Sequence, residues 1–147
     1  MKLSENQLSE RDQIYVSTVY HTISDLERIG DYSKNIMEYA QRLNETGSRF
    51  SEVAIQETME VQALIEQLYD KIEIAYTETS EPALEEAYDI EEHVDIITEQ
   101  MAQNHVKRLN EGTCTLDVGS EFLSMTSDSE RVADHLINMG KVIRLYP

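Results

Sequence analysis

Turns are scarce in this chain, which has only 5 glycines and 2 prolines in 147 residues. A sandwich or barrel needs a turn every eight to twelve residues or so, and Gly and Pro are the residues that make most of them. Long uninterrupted stretches with few breaks favour a small number of long helices. Apolar residues recur at three- and four-residue steps between the breaks, the spacing that lines one face of a helix. Four helices follow. The first, over about 5–43, carries Val16, Val19, Ile23, Leu26, Gly30, Ser33, Met37 and Ala40 on one stripe and starts at Ser9 with Asp12, or Ser4 with Gln7. Gly47 ends it. The second covers about 48–76, with Ala54, Val61, Ile65, Leu68, Ile72 and Ala75 as its stripe.

Pro82 marks the clearest break, because proline is tolerated in a first helical turn and Ser80 can cap it. A third helix runs over about 82–110, with Ala87, Ile90, Val94, Ile97 and Met101 inward, and Gly112 stops it. The fourth runs over about 116–145 on Phe122, Met125, Val132, Leu136 and Met139. Each helix is roughly 45 Å long. Short connections make neighbours antiparallel, so the expected fold is all-α, an antiparallel up-down four-helix bundle in a single domain over residues 1–147. The six methionines are read as core filler.

Charge narrows the function classes. There are 29 acidic and 12 basic residues, a net charge of −17, with no basic cluster larger than Lys107–Arg108. Nucleic-acid binding needs phosphate neutralisation, so it is excluded as a role. An acidic surface suits cations or a basic partner, and also keeps a protein soluble by repulsion. The lone Cys114 makes no internal disulfide and fits a reducing cytosol. No apolar run exceeds three residues, so no insertion into a membrane and no signal peptide is expected.

The first and fourth helices share a motif. Ser24-Asp25-Leu26-Glu27-Arg28-Ile29-Gly30-Asp31 recurs 103 residues later as Ser127-Asp128-Ser129-Glu130-Arg131-Val132-Ala133-Asp134, and Asn35 is echoed by Asn138. Repetition of this kind points to duplication and two equivalent sites. Residues four apart lie one above the other on a helix, so Glu27/Asp31 and Glu130/Asp134 each aim two carboxylates the same way. Paired acids repel one another unless a cation joins them, and a hard or borderline metal takes such oxygens. Glu91, Asp95 and Glu99 repeat the spacing on the third helix. If the third and fourth helices are antiparallel neighbours, Glu91/Asp95 and Glu130/Asp134 can form one carboxylate cage. Asn35 and Asn138 are candidate ligands or supporting donors. Solvated acids paired with Arg28 and Arg131 are the simpler reading, and Gly30 and Ala133 are small enough to allow close helix approach.

The Glu-Arg-Ile-Gly-Asp and Glu-Arg-Val-Ala-Asp segments, each followed by asparagine four positions on, resemble the signature of the PhoU family. The stretch from Asn104 to Gly140 resembles the PhoU-like C-terminal domain of sodium/phosphate cotransporters. The resemblance implies a PhoU-like fold, here a spectrin-like three-helix repeat plus one extra helix, and metal bound through the repeated acids as iron, zinc or magnesium. It also implies a cytoplasmic regulator of phosphate transport and not an enzyme. Its partner would be a transmembrane transporter domain on the same or another chain. A full PhoU domain has six helices and this chain begins at the third, so Glu27/Asp31 lacks partner helices and the intact site falls on Glu91, Asp95, Glu130 and Asp134. A second copy could supply what is missing, making a homo-oligomer.

Three alternatives compete. One is a stand-alone PhoU-type uptake regulator, and another a metal-free structural or oligomerisation bundle. A ferritin-like di-iron oxidase needs Glu-x-x-His pairs, and none of the four histidines has a glutamate three positions before it. No Ser/His/Asp or Cys/His constellation and no Gly-rich phosphate loop occurs. His105 and Cys114 flank the last turn and are read as a surface histidine and a half-buried thiol.

Overall fold

The computed structural model describes residues 8–145. It contains four helices and no strand among them: α1 (Glu10–Glu45), α2 (Glu52–Glu78), α3 (Glu81–Asn110) and α4 (Leu116–Lys141), followed by a 3-10 turn at Val142–Leu145. The start of α1 is fixed by a reciprocal cap. Ser9 Oγ accepts from the Asp12 amide at 3.2 Å, and the Asp12 carboxylate accepts from the Ser9 amide at 3.2 Å. The alternative start at Ser4 lies outside the described residues. Ser51 and Ser80 cap α2 and α3 through the amides of Ala54 and Ala83. Pro82 sits in the first turn of α3, where its missing amide costs nothing. Gly47 and Gly112 take positive φ just past α1 and α3, the left-handed conformation that ends a helix. Thr79 takes the same conformation (φ 51°) between α2 and α3 without glycine's freedom.

Cross-helix pairs run in opposite senses, as antiparallel packing requires. Arg108 on α3 pairs with Glu57 on α2 at 2.9 Å, while Lys71 farther along α2 pairs with Glu86 nearer the start of α3. On α4, Asp25 of α1 meets His135 at 2.8 Å and Arg42 meets Glu121 at 2.8 Å. Four antiparallel helices are therefore present, arranged as a three-helix unit of α2, α3 and α4 with α1 laid along α4. The main core belongs to the three-helix unit: Leu68, Ala75, Leu84, Ala87, Val94 and Ala133 are fully enclosed. A second apolar cluster of Ala54, Val61, Met101 and Phe122 continues it toward the α3–α4 turn, with Ile65 and Ile97 packed against both.

The stripes expected on α2, α3 and α4 are the packed faces, but the one expected on α1 is not. Ile23, Leu26 and Met37 are 58%, 52% and 60% exposed, and Gly30, Ser33 and Ala40 are exposed too. α1 turns a different face to α4. Thr18 and Thr22 are buried there, and Ile29 and Tyr32 pack against the core. The reason lies in the partner. A helix packed mainly on one neighbour can be held by a narrow seam of polar pairs, without a wide apolar stripe. The methionine expectation needs the same correction. Met101 and Met125 are buried and Met139 is partly so, but Met37 and Met59 face solvent.

Candidate metal centre

Two adjacent turns of α3 place Glu91 and Asp95 on the side that meets α4, because residues four apart share a face. The antiparallel register brings Asp134 opposite them. One carboxylate oxygen from each of Glu91, Asp95 and Asp134 lies within 4.8 Å of the other two. Glu130, one turn earlier on α4, stands close enough that Asp134 and Asp95 both act on it.

The electrostatics show what this proximity costs. Burial, then the negative charge of Asp95, then a hydrogen bond and repulsion from Asp134 push the Glu91 carboxyl up to about 7. Lys141 counteracts this in part. Asp95 is raised by burial first, then by Asp134 and Glu92. Glu130 is raised by burial, then by Asp134 and Asp95, with Arg131 opposing. Acids in this arrangement hold protons they would otherwise give up. A cation can replace those protons. Carboxylate–cation bonds run about 2.0–2.6 Å, so a shared ion would draw the three oxygens slightly closer together. The donor set is all oxygen, which suits a hard ion with water in its remaining positions.

The other acids and asparagines of the motif do not join this group. Glu27 and Asp31 lie on the exposed side of α1, apart from the α3–α4 cluster, and Glu99 points to solvent two turns beyond Glu91. Gly30 has open space where a Cβ would stand, so it permits no close approach among the described residues. Its counterpart Ala133 is fully buried in the core. Asn138 is exposed and accepts a long 3.5 Å hydrogen bond from Lys141. Arg131 lies over the Tyr32 ring at 5.5 Å, and Arg28 is exposed.

Asn35 takes part in a different feature, one the sequence reading did not find. Asp128 is only 4% exposed and accepts from the Tyr39 hydroxyl at 2.7 Å and the Asn35 amide at 3.3 Å. That carboxylate raises the Tyr39 phenol's pKa, chiefly through the hydrogen bond itself. The equivalent residue of the first motif copy, Asp25, bonds His135, whose ring stacks on Tyr32 at 5.8 Å. Each motif aspartate thus ties α1 to α4. The signal was in the sequence, since the aspartate recurs in both copies, but its partners depend on the α1–α4 register.

The fold is an all-α helical bundle with carboxylates clustered across two of its antiparallel helices. The PhoU domain model matches residues 52–143, the span of α2, α3 and α4 with all four central acids, and the chain belongs to the PhoU family. It is 27% identical over 135 residues to an uncharacterised protein of Deinococcus radiodurans, covering 91% of this chain and 48% of that one. It is also 27% identical over 128 residues to the phosphate-specific transport system accessory protein PhoU homolog 1 of Thermotoga maritima, covering 85% of this chain and 53% of that protein. The chain spans about half the length of these relatives. No solved structure matches it.

Proposed function

We propose that this chain is a regulatory domain of phosphate transport that binds a divalent or iron-type cation through Glu91, Asp95 and Asp134, with Glu130 supporting them. The carboxylate triangle across α3 and α4 carries the reading. Filling it removes the repulsion between the two helices, so the bound and free forms differ in how tightly α3 holds α4. α4 also bears α1, whose outer face exposes Ile23, Leu26 and Met37. That strip supports association with a further copy or with the cytoplasmic face of a sodium/phosphate cotransporter, on the same or another chain. No helix among the described residues is long and apolar enough to cross a membrane, so the transporter would supply the membrane part.

A stand-alone uptake regulator is the second reading. The Thermotoga maritima relative, named as an accessory protein, favours it. Both readings are tested by replacing the native gene with a Glu91→Gln/Asp134→Asn version and following phosphate uptake as external phosphate is varied. The proposal expects uptake to lose its dependence on phosphate supply while protein level is kept. An unchanged response would rule it out.

A further inference from the structure

The three-helix unit closes over its own side chains. Even His105, read from the sequence as a surface residue, is 1% exposed. It packs on Phe122 with 5.2 Å between ring centres, and any Cβ at Gly119 would collide with its ring. That reading is corrected, and His105 belongs to the core. α1 is built differently. It packs mainly on α4, and the stripe expected to be its core face is turned to solvent. Ile23, Leu26 and Met37 are each more than half exposed, and Gly30, Ser33 and Ala40 on the same stripe are exposed as well.

The spacing of that stripe limits what can cover it. From Val16 the steps to Val19, Ile23, Leu26, Gly30, Ser33, Met37 and Ala40 alternate strictly between three and four residues. A repeat of 3.5 is the narrow seam of a two-stranded coiled coil, whereas a helix packed on a globular core carries a wider stripe. Such a seam is covered by another long helix of the same period. α1 itself is one.

Laid antiparallel on a second α1 with Gly30 opposite the partner's Ser33, the seam matches itself. Ile23 then meets the partner's Ala40, and Leu26 meets the partner's Met37. Large residues fill the two ends, while Gly30 and Ser33 let the backbones come close at the centre. Gly30 has open space where a Cβ would stand, so nothing in its own chain occupies that approach. The same register sets Glu27, just outside the seam, beside the partner's Lys34, and Lys34 beside the partner's Glu27. Both side chains are exposed, and Lys34 makes a long 3.8 Å contact with Glu38 of its own helix. On the side toward α4, the half-buried Ile29 comes beside the partner's Ile36. A parallel pairing would set Lys34 beside the partner's Ile29 and leave Glu27 and Lys34 without opposite charges across the seam.

We propose that α1 is a dimerisation helix, pairing antiparallel with α1 of a second copy over residues 23–40. This selects one of the two occupants named above for the strip, and it does not depend on the metal. The paired stretch is roughly 27 Å long. Two chains of net charge −17 repel one another, and one helix pair covers less area than a permanent interface needs. The dimer is therefore a reversible one.

Sedimentation equilibrium of the whole chain, from about 1 μM to about 1 mM, is the test. Chelator is present, so the outcome is separate from the metal reading, and 0.15 M salt confines the general repulsion to about 8 Å. The wild type should dimerise with a dissociation constant of about 1–100 μM. Leu26→Asp, at an exposed position, places a charge in the seam of each chain and should weaken the dimer about tenfold or more. Glu27→Lys sets like charges side by side and should weaken it too. Glu27→Lys/Lys34→Glu restores opposite signs and should return the affinity to within about threefold of wild type. Circular dichroism confirms that each variant keeps its helices. A monomer throughout the range would overturn the proposal and leave the strip to a different chain. A dimer untouched by Leu26→Asp, or a double variant no tighter than Glu27→Lys, would overturn it as well.

Discussion

Replacing Glu91 by glutamine should make the metal-free protein more stable at pH 8. In the native fold the Glu91 carboxyl is pushed up to about 7 from an ordinary 4.5. The direction follows from linkage. A carboxyl whose pKa is raised by folding favours the native state below its unfolded pKa, and that advantage disappears as pH rises through the native pKa. Well below pH 4.5, Glu91 is protonated in both states and costs nothing. Above about pH 7 it is ionised in both, and the fold bears the full burden of keeping it beside Asp95 and Asp134. Each pKa unit is worth about 1.4 kcal/mol. The burden is therefore at most about 3.5 kcal/mol, and about 2 kcal/mol once the partial contact of Glu91 with water is allowed for.

Glutamine keeps the shape and hydrogen-bonding capacity without the charge. Urea and thermal unfolding in chelator, at pH 5 and pH 8, measure the difference between wild type and Glu91→Gln. The variant should gain about 2 kcal/mol at pH 8, on the order of 4–8 °C in Tm for a chain of this size. The gain should shrink toward zero at pH 5. A variant less stable than wild type at pH 8, or a difference that does not change with pH, would refute the crowded-carboxylate account.

Other expectations test the scaffold. Tyr39→Phe removes the donor that holds Asp128 and should cost about 1–3 kcal/mol, because a buried carboxylate loses a hydrogen bond; hydrogen exchange should then quicken in α1 before the three-helix core. Leu68→Ala, at a fully enclosed position, should cost about 2–5 kcal/mol in urea unfolding. Gly119→Ala drives a methyl into His105 and should cost about 1–3 kcal/mol, with the His105 ring signals displaced in NMR. Thr79→Gly relieves a left-handed conformation at the α2–α3 turn and should stabilise the protein by up to about 1 kcal/mol in Tm measurements.

The fold was largely legible in the sequence, and for a physical reason. α2 and α3 each pack against two neighbours and α4 against three, so Leu68, Val94 and Leu136 had to recur on wide apolar faces. α1 faces mainly one neighbour and is held by Asp25, Asn35 and Tyr39, which a hydrophobic period does not detect; the period instead found the strip it leaves exposed. The acidic triangle was legible because its four-residue spacing is local and only the pairing of α3 with α4 had to be supplied. The burial of Asp128 and of His105 was not legible. Each depends on which residue of another helix stands opposite, Tyr39 in one case and Gly119 in the other. No spacing within one helix encodes that register.

The proposed function stands on the α3–α4 acids holding a metal. Equilibrium dialysis against manganese, iron and zinc, followed by elemental analysis, tests it most directly on wild type and on Glu91→Gln/Asp134→Asn, with circular dichroism confirming that both are folded. The expected result is at least stoichiometric metal in the wild type and none above background in the variant. Substoichiometric metal in both, or equal metal in both, would contradict it and leave Glu91, Asp95 and Asp134 as solvated acids on a helical seam.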